Sequence, residues 1–441
     1  MIKRLSILLV ALCALSATVA AQDYARMSER TLMGTARYIG MGGAMTAIGG
    51  DPSAVLDNPA GLGLYQRMEM LLTGDVQLDR TWQYGTDQKV KQNTGWVAQA
   101  SLIFCFPRYS SSKVKANNIM MSYNRLHSFS RKMDAYYNQC ASLGNLINTY
   151  SVGMDIPYCS DALNASNELH LRESGYIDEY SFDWSMNIDH QWYVGAGLRI
   201  QSYLLASDGD YYETFSSQNA EGKAQDIENE SSMILSGSSC NFALGVIYRP
   251  TQWLRMGLSV RTPSFGTLRT SSYGTFSALT DSVRYSYAPD LNFEDRHFAQ
   301  PWRASASIAL QCGAYGMLAV QYDYAHSKYH DDFHSLRVGL EVVPILGMYL
   351  NAGYAYESTF KPTTPVAMDP SFDRQDTYSV FPRWGQYASC AIGYRGAYCL
   401  FQVAYQYHWQ GLNLYAHEDA HPYNMRTETH RITFTLGWHS N

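Results

Sequence analysis

Six arginines have the chemistry to bind a carboxylate ligand, because a guanidinium presents a planar fork of N–H donors to two carboxylate oxygens. They fall on the polar side of alternating segments, together with Asp183, Asp323 and Glu341. The six are Arg199, Arg255, Arg261, Arg303, Arg337 and Arg431. Two interpretations stay open at this point. Either the charges pair with one another and rigidify a solvated interior, or some of the arginines contact an anionic ligand.

A glycine-rich stretch, GMGGAMTAIGGDPSAVLDNPAGLG at 40–63, could be a phosphate-binding loop, a linker or a compact insert. Met45 stands where a dinucleotide-binding loop needs its third glycine, and the Gly-Lys-Ser/Thr ending of a P-loop is absent. The stretch is also too apolar for a linker. Asp51 and Asn58 each precede a proline, which is typical of a helix N-cap followed by Pro at the first helical position. The stretch therefore predicts a compact, turn-rich plug.

Other chemistry-bearing residues do not form a recognisable catalytic or metal site. His408 has no evident serine partner, and His439, Ser440 and Asn441 are adjacent in sequence rather than spaced as a triad. No CxxC pair and no His/Cys cluster with zinc spacing occurs. Cys140 and Cys159 lie in one predicted loop and could pair. We expect no enzyme activity, no cofactor and no metal.

Composition narrows the class of protein. The chain of 441 residues has a formal net charge of −6 and a pI near 6.0, so it lacks the basic footprint of a nucleic-acid-binding protein. It contains 35 tyrosines and 33 glycines, and only 16% of its residues are charged. This composition favours an all-β protein.

The elements that position the arginines are predicted strands, in which apolar and polar residues alternate with period two. In 67–80 and 176–189, apolar side chains alternate with polar ones over more than ten residues, which predicts strands with one apolar and one wet face. Fourteen segments have this pattern and the length of a tilted strand that crosses a bilayer. They are 67–80, 93–107, 115–127, 176–189, 191–205, 238–249, 253–262, 302–312, 316–326, 333–344, 347–357, 384–396, 399–409 and 428–438.

Connections between these segments alternate between tight turns and long loops at 128–175, 206–237, 263–301 and 358–383. Tyrosines and tryptophans cluster near both ends of the apolar faces, as in interfacial girdles. The pattern predicts an antiparallel, fourteen-stranded transmembrane β-barrel. We expect a multi-pass protein of the outer membrane of a Gram-negative cell, surrounded by membrane lipid and monomeric.

The segment ARYIGMGGAMTAIGGDPSAVLDNPAGL resembles the N-terminal hatch of the FadL/TodX-type family of outer-membrane transporters of long-chain fatty acids and other hydrophobic compounds. Segments 244–264 and 336–357 resemble two hairpins of that family. The resemblance implies a fourteen-stranded barrel with the hatch inside its lumen. We expect a signal peptide at 1–21, the hatch at 22–66 and the barrel at 67–441. The hatch and gating residues are then Gly40, Gly42, Gly43, Asp51, Asn58, Pro59, Ala60 and Gly61.

The resemblance further implies passive uptake of hydrophobic small molecules such as long-chain fatty acids, gated by the hatch. The alternative is a barrel component of a protein-secretion system, whose partner would be an exported protein. A candidate outer-loop apolar site has side chains at helical spacing. Its residues are Met133, Tyr136, Tyr137, Leu143 and Ile147. They predict an amphipathic helix that either lines an apolar groove or caps the mouth of the barrel.

Overall fold

A computed structural model describes residues 24–86, 89–108, 112–138, 142–144, 166–215, 226–279, 283–288, 291–326, 331–360, 378–417 and 420–440. The predicted signal peptide 1–21, Cys140, Ile147 and Cys159 lie outside the described residues. Within these ranges, no helix has both the length and the apolar character needed to cross a membrane.

The described chain forms one antiparallel sheet. In chain order its strands are β1 (Glu69–Gln83), β2 (Val90–Pro107), β3 (Val114–Ser128), β4 (Arg131–Tyr137), β5 (Ser166–Ile188), β6 (Trp192–Thr214), β7 (Asp226–Tyr248), β8 (Leu254–Arg261), β9 (Phe265–Leu279), β10 (Arg284–Tyr287), β11 (Asn292–Phe298), β12 (Trp302–Gln311), β13 (Gly316–His326), β14 (Phe333–Ile345), β15 (Met348–Glu357), β16 (Ser379–Arg395), β17 (Cys399–Tyr415) and β18 (Tyr423–His439). Because β1 pairs with both β2 and β18, the sheet closes into a barrel.

Fourteen of these strands cross the barrel wall, as predicted. The other four extend it on the outer side. β4 pairs with the upper part of β5, whose lower part pairs with β3. In the same way β9 pairs with the upper part of β7, above β8, and both β10 and β11 pair with β9. The predicted fourteen-stranded antiparallel barrel is therefore confirmed.

The outer extension corrects the predicted loops. β5, β6 and β7 each have 23 residues, so much of 166–175 and 206–237 is strand rather than loop. In these upper halves the alternation is reversed. Asp208 and Glu228 point outward, whereas Tyr211 and Ile227 are buried inside. This part of the wall stands in water, so its outward side chains are polar. A pattern of lipid-facing apolar residues therefore does not predict these upper strand segments.

The outer surface of the lower wall is an apolar belt. Met70 and Leu72, for example, are each 52% exposed although they are large apolar side chains. Exposed aromatic residues flank the belt on the outer side (Tyr354, Tyr356, Tyr405) and on the periplasmic side (Trp192, Trp253, Tyr394, Trp438). A closed barrel with an apolar belt between two aromatic girdles is a multi-pass outer-membrane protein.

Residues 24–66 fill the lumen, and we call them the hatch segment. A helical turn at 24–27 is followed by α1 (Ala36–Gly40), α2 (Pro52–Asp57) and a 3-10 helix (Pro59–Leu64). Asp51 caps α2 and Asn58 caps the 3-10 helix, each with Pro at the first helical position. Both predicted N-caps are therefore confirmed. Most side chains of the segment are buried against the inner wall.

Candidate functional site

Two pairs of glycines in the barrel wall lie in direct contact with the hatch segment. Gly339 on β14 and Gly353 on β15 are cross-strand partners that face the lumen. A Cβ atom at either position would overlap with the backbone of Met41 or Gly42. The lack of side chains thus lets the GMGGA turn lie directly on the wall.

The second glycine pair carries the Asn-Pro turn. Gly195 on β6 and Gly245 on β7 are also cross-strand partners. A Cβ atom at Gly195 would overlap with Pro59, and one at Gly245 with the side-chain oxygen of Asn58. Both motifs that resemble the family's hatch therefore rest on a bare patch of barrel backbone.

The hatch glycines have two different physical roles. Gly42 and Gly43 have φ values of 60° and 74°, a region that favours glycine. Gly40 and Gly61 are instead required by close approach. A Cβ atom at Gly40 would overlap with the Ala391 side chain, and one at Gly61 would lie 3.0 Å from the Cα of Gly49.

Asp51 joins two parts of the hatch segment. Its carboxylate accepts hydrogen bonds from the Ser53 backbone N–H (2.9 Å) and from the Thr35 hydroxyl (2.7 Å). Burial raises the pKa of this carboxyl, while the Thr35 hydrogen bond and the nearby Arg37 charge oppose the rise. Asp51 therefore fixes the start of α2 relative to the cap of α1.

Asn58 links the hatch segment to itself and to the wall. Its Nδ2 donates to the carbonyl oxygen of Thr46 (2.9 Å) and to that of Val246 on β7 (3.3 Å). Its Oδ1 accepts from the backbone N–H of Ala60 (3.0 Å). The bonds to Thr46 and Ala60 are buried and the one to Val246 is partly buried, so water does not replace the first two when they are lost.

Asn58→Ala is expected to loosen the hatch segment and leave the barrel assembled. The substitution leaves buried carbonyl and N–H groups unpaired, at a cost of about 1–3 kcal/mol. We expect faster cleavage of 24–66 by an added protease, with unchanged heat-modifiable gel mobility. Asn93→Ala, at an exposed position on β2, is the control and should change neither property. Loss of the heat-modifiable band in Asn58→Ala would show that Asn58 is needed for barrel folding.

All six predicted arginines contact the hatch segment, an arrangement that the sequence did not reveal. Five donate to backbone carbonyl oxygens of the segment, and Arg337 donates to the hydroxyl of Tyr38 (3.1 Å). The five bonds join Arg199 to Val55 (3.2 Å), Arg255 to Ile48 (3.1 Å), Arg261 to Leu56 (2.9 Å), Arg303 to Ser28 (2.8 Å) and Arg431 to Leu32 (2.9 Å). The arginines therefore fasten the hatch segment to the wall.

Glu179 on β5 is the centre of a buried ion cluster in the lumen. Its carboxylate lies 2.8 Å from Arg261, 3.6 Å from Arg199 and 3.7 Å from Arg30. The side chains of Glu179 and Arg199 are fully buried. Because Arg30 belongs to the hatch segment, one carboxylate of the wall holds three guanidinium groups from both parts of the protein.

Apolar side chains fill the outer mouth of the barrel, and we call them the mouth cluster. They point inward from the outer extension and are almost completely buried. The cluster consists of Met133, Ala135, Leu143, Leu169, Leu171, Tyr211, Ile227, Phe276, Ala278, Tyr378, Val380, Leu412, Leu414, Ala416, Ala420, Tyr423 and Met425. Sequence analysis missed most of them, although inward alternation in the upper strands was a signal that could have found them.

The predicted amphipathic helix at the outer mouth is wrong for residues 131–137, whereas Leu143 and Gly144 are helical. Residues 131–137 form β4, because the upper part of β5 offers an antiparallel partner for their backbone groups. The four-residue spacing of Met133 and Tyr137 fits a strand face as well as a helix face. Met133 and Leu143 belong to the mouth cluster, and Tyr137 packs against it. Tyr136 lies on the opposite face beside His170, and Ile147 is outside the described residues.

Two small cavities adjoin the outer side of the hatch segment. Their volumes are about 60 and 50 Å³, and both are lined by Arg30, Thr31, Phe333 and Glu357. The guanidinium of Arg303 lines the second cavity, 5.4 Å from the ring of Phe333. Such volumes hold one or two water molecules, whereas ligand pockets have several hundred Å³. Neither cavity therefore has room for a ligand in this conformation.

Two other predictions concern the thiols and His408. In the part of the chain that the structure describes, Cys105, Cys240, Cys312, Cys390 and Cys399 are free thiols. His408 stacks on Tyr387 inside the lumen, with ring centroids 4.1 Å apart. Over the same ranges, no group of three or more His, Cys, Asp or Glu side chains could hold a metal ion.

Comparisons with known proteins agree with this architecture. No protein-family model and no curated protein sequence matches the chain. Among solved structures, a FadL homologue of Pseudomonas aeruginosa is similar over 93% of this chain and 98% of its own, with a TM-score of 0.56 and 12% identity. The toluene transporter TodX of Pseudomonas putida is similar over 94% of this chain and 99% of its own (TM-score 0.54, 14% identity). The toluene transporter TbuX of Ralstonia pickettii is similar over 93% and 99% (TM-score 0.56, 12% identity).

The chain is thus an outer-membrane β-barrel whose N-terminal residues 24–66 fill the lumen. Its fold, over almost its whole length, is that of the FadL/TodX-type barrels. The resemblance inferred from residues 36–62 is therefore confirmed at the level of the fold.

Proposed function

We propose that this protein takes up hydrophobic small molecules passively across the outer membrane and that the hatch segment is its gate. The mouth cluster is the observation that carries the proposal. An apolar plug at the water-exposed end of a lumen excludes water and polar solutes, but it is a favourable solvent for an apolar molecule. Three of the structural neighbours are named as transporters or channels, which also favours uptake over the secretion role.

A second apolar cluster continues the route below the mouth cluster. It includes Ile177, Tyr203 and Leu235 of the wall, each nearer to the periplasmic end of its strand than the mouth residues. Tyr24 and Met27 of the hatch segment complete it. The apolar route therefore ends on the first helical turn of the hatch.

An ion cluster at Glu173 ties that first turn to the outer wall. Glu173 on β5 accepts hydrogen bonds from Arg131 on β4 and from Arg26 of the hatch segment, and both Arg26 and Glu173 are buried. Movement of the first turn would break this link and enlarge the small cavities together. We infer that the gating set consists of this turn and of the predicted residues Gly40, Gly42, Gly43, Asp51, Asn58, Pro59, Ala60 and Gly61.

Two ligand classes match the side chains around the cavity beside Phe333 once movement of the hatch segment enlarges it. Its guanidinium neighbour Arg303 lies 5.4 Å from each of the rings of Phe333 and Phe360, so an aromatic hydrocarbon could replace these cation–π contacts. A fatty acid could instead place its carboxylate on Arg303. The solved neighbours include toluene transporters, a monoaromatic hydrocarbon channel and a FadL homologue.

The test compares cells that express the protein with cells that carry the empty vector, in a strain without its own transporter of this type. We expect faster accumulation of radiolabelled toluene or oleate and an unchanged rate for sucrose. Equal rates for all solutes in the two strains would contradict the proposal. Native mass spectrometry of the protein from its own membrane then identifies the ligand, whereas a stoichiometric bound protein without any small molecule would support the secretion alternative.

Leu171→Gln in the mouth cluster is expected to slow uptake about fivefold, because a buried unpaired amide costs at least about 1 kcal/mol along the apolar route. Uptake of the labelled hydrophobic solute in cells measures the effect. Leu340→Gln on the lipid-facing side of β14 is the matched control, with the same change of side chain outside the lumen. A rate in Leu171→Gln equal to that of the unmodified protein would remove the mouth cluster from the route.

A further inference from the structure

We propose that the outer wall carries a binding site for the phosphate-bearing headgroup of a lipid in the outer leaflet. The site is a basic patch on the exterior of neighbouring strands β16, β17, β18, β1 and β2. Its cations are Arg80, Lys89, Lys91, Arg383 and Arg426. The proposal is independent of the uptake function, because none of these residues faces the lumen.

Register places the patch on the lipid-facing side of the wall. Arg80 on β1 lies opposite Lys91 on β2, and both side chains are exposed. Arg80 lies an even number of residues from Leu72 and Val76 of the apolar belt. Side chains at such spacing share one face of a strand, so all three point outward. The patch therefore continues the belt upward on the same face of the strands.

The patch lies at the height of lipid headgroups. Tyr407 and Trp409 on β17 belong to the outer aromatic girdle, and their partners on β18 are His430 and Glu428. Arg426 is the next outward residue above Glu428 along β18. Aromatic girdles mark the boundary between hydrocarbon and headgroups, so the cations directly above them meet the headgroup layer.

Arg383 is held in place but retains an unpaired donor. Its Nη2 donates to Asn424 Oδ1 (3.0 Å) on β18. Its guanidinium lies over Gly411, where a Cβ atom would be 3.5 Å from Nε. That Nε is buried and has no hydrogen-bond partner among the described residues. A phosphate oxygen satisfies this donor if the Arg383 side chain turns toward the lipid.

The ring of Trp82 makes cation–π contacts with two cations of the patch. Lys89 Nζ lies 4.4 Å from its ring centroid and Arg426 Cζ lies 5.7 Å from it. Among the described residues, Glu428 is the carboxylate within the patch, 3.2 Å from Arg426. These five cations and one carboxylate leave a local excess of positive charge on a chain whose formal net charge is −6.

Phosphate is the anion that fits this arrangement. Arginine forks bind phosphate oxygens in a bidentate manner and lysine binds them as a point charge. Outward carboxylates, by contrast, occur on the upper parts of β6 and β7, at Asp208, Asp210, Glu228 and Glu230. The patch borders the apolar belt. The phosphate of a lipid can therefore contact the cations while its acyl chains contact the belt, whereas a free phosphate contacts the cations alone.

The experiment measures lipid retention on the full chain in mild detergent by native mass spectrometry. The probe is an acylated glucosamine disaccharide with two phosphates. We expect the triple variant Arg80→Gln/Lys91→Gln/Arg426→Gln to bind it about tenfold more weakly, since one charge-assisted hydrogen bond contributes about 1.5–3 kcal/mol, which is tenfold or more. The control variant Arg172→Gln/Arg269→Gln/Arg284→Gln removes the same charge from other exposed strands and should bind normally.

Equal binding by the two triple variants would overturn the proposal. Two measurements on the unmodified protein test it without any substitution. Binding should weaken between about 0.1 M and 1 M NaCl, which shortens the Debye length from roughly 10 to 3 Å. Removal of the phosphates from the same lipid should abolish the preference over a zwitterionic phospholipid. Binding that depends on neither salt nor phosphate would refute the site as described.

Discussion

Gly353→Val is expected to open the barrel. The valine side chain would overlap with the backbone of Met41 and Gly42, because no space separates the hatch segment from the wall at this point. Over-packing of a filled interior costs about 1–3 kcal/mol, and here the strain is relieved when the GMGGA turn lifts from its seat. A shift of that size changes a two-state equilibrium about 5- to 150-fold in favour of the open form.

Ion current across a planar bilayer measures this effect directly. We expect a closed unmodified protein and long open events in Gly353→Val. Gly74→Val is the matched control, since its nearest non-neighbouring atom, the carbonyl oxygen of Trp96, would lie 3.8 Å from the new Cβ. If Gly353→Val assembles normally and stays closed, the glycine pair Gly339–Gly353 is not the seat of a movable hatch.

Glu179→Gln is expected to cost about 3–5 kcal/mol of folding free energy, the typical result of removing one partner from a buried ion pair. The amide has nearly the same volume as the carboxylate, so packing is preserved. Arg30 and Arg261 would nevertheless lose the carboxylate that they share, and Arg199 would keep only its pair with Asp183 (2.6 Å). Because these arginines hold the hatch segment, we expect the substitution to release the hatch at a lower denaturant concentration than the one that unfolds the wall.

Urea titration followed by heat-modifiable gel mobility, with protease cleavage of 24–66 in parallel, measures both stages. We expect cleavage at a lower urea concentration in Glu179→Gln than in the unmodified protein. Asp295→Asn is the control, because its pair with Arg269 is exposed on both sides and should contribute nothing measurable. An unchanged urea midpoint for hatch cleavage in Glu179→Gln would mean that the cluster does not retain the hatch.

Local sequence determined the wall and the helix starts of the hatch. Strand number follows from period-two alternation, because a lipid-facing side chain must be apolar wherever a strand crosses the bilayer. The Asp51-Pro52 and Asn58-Pro59 caps could be predicted from residue type alone, since an N-cap is formed by groups two or three residues apart. The helix predicted around Met133 failed because short apolar spacing fits two periods, and pairing with β5 decided between them.

Only the tertiary structure decided what the inner surface does. Gly195 and Gly245 are fifty positions apart and become a seat for Asn58 only through the register of β6 and β7. The six arginines were visible as inward charges, but their partners are mostly backbone carbonyl oxygens of the hatch, which leave no trace in residue type. The sequence by itself therefore determined a transmembrane barrel with a compact N-terminal insert. Three-dimensional packing alone decided how that insert is held, because its contacts join backbone atoms to residues distant in the chain.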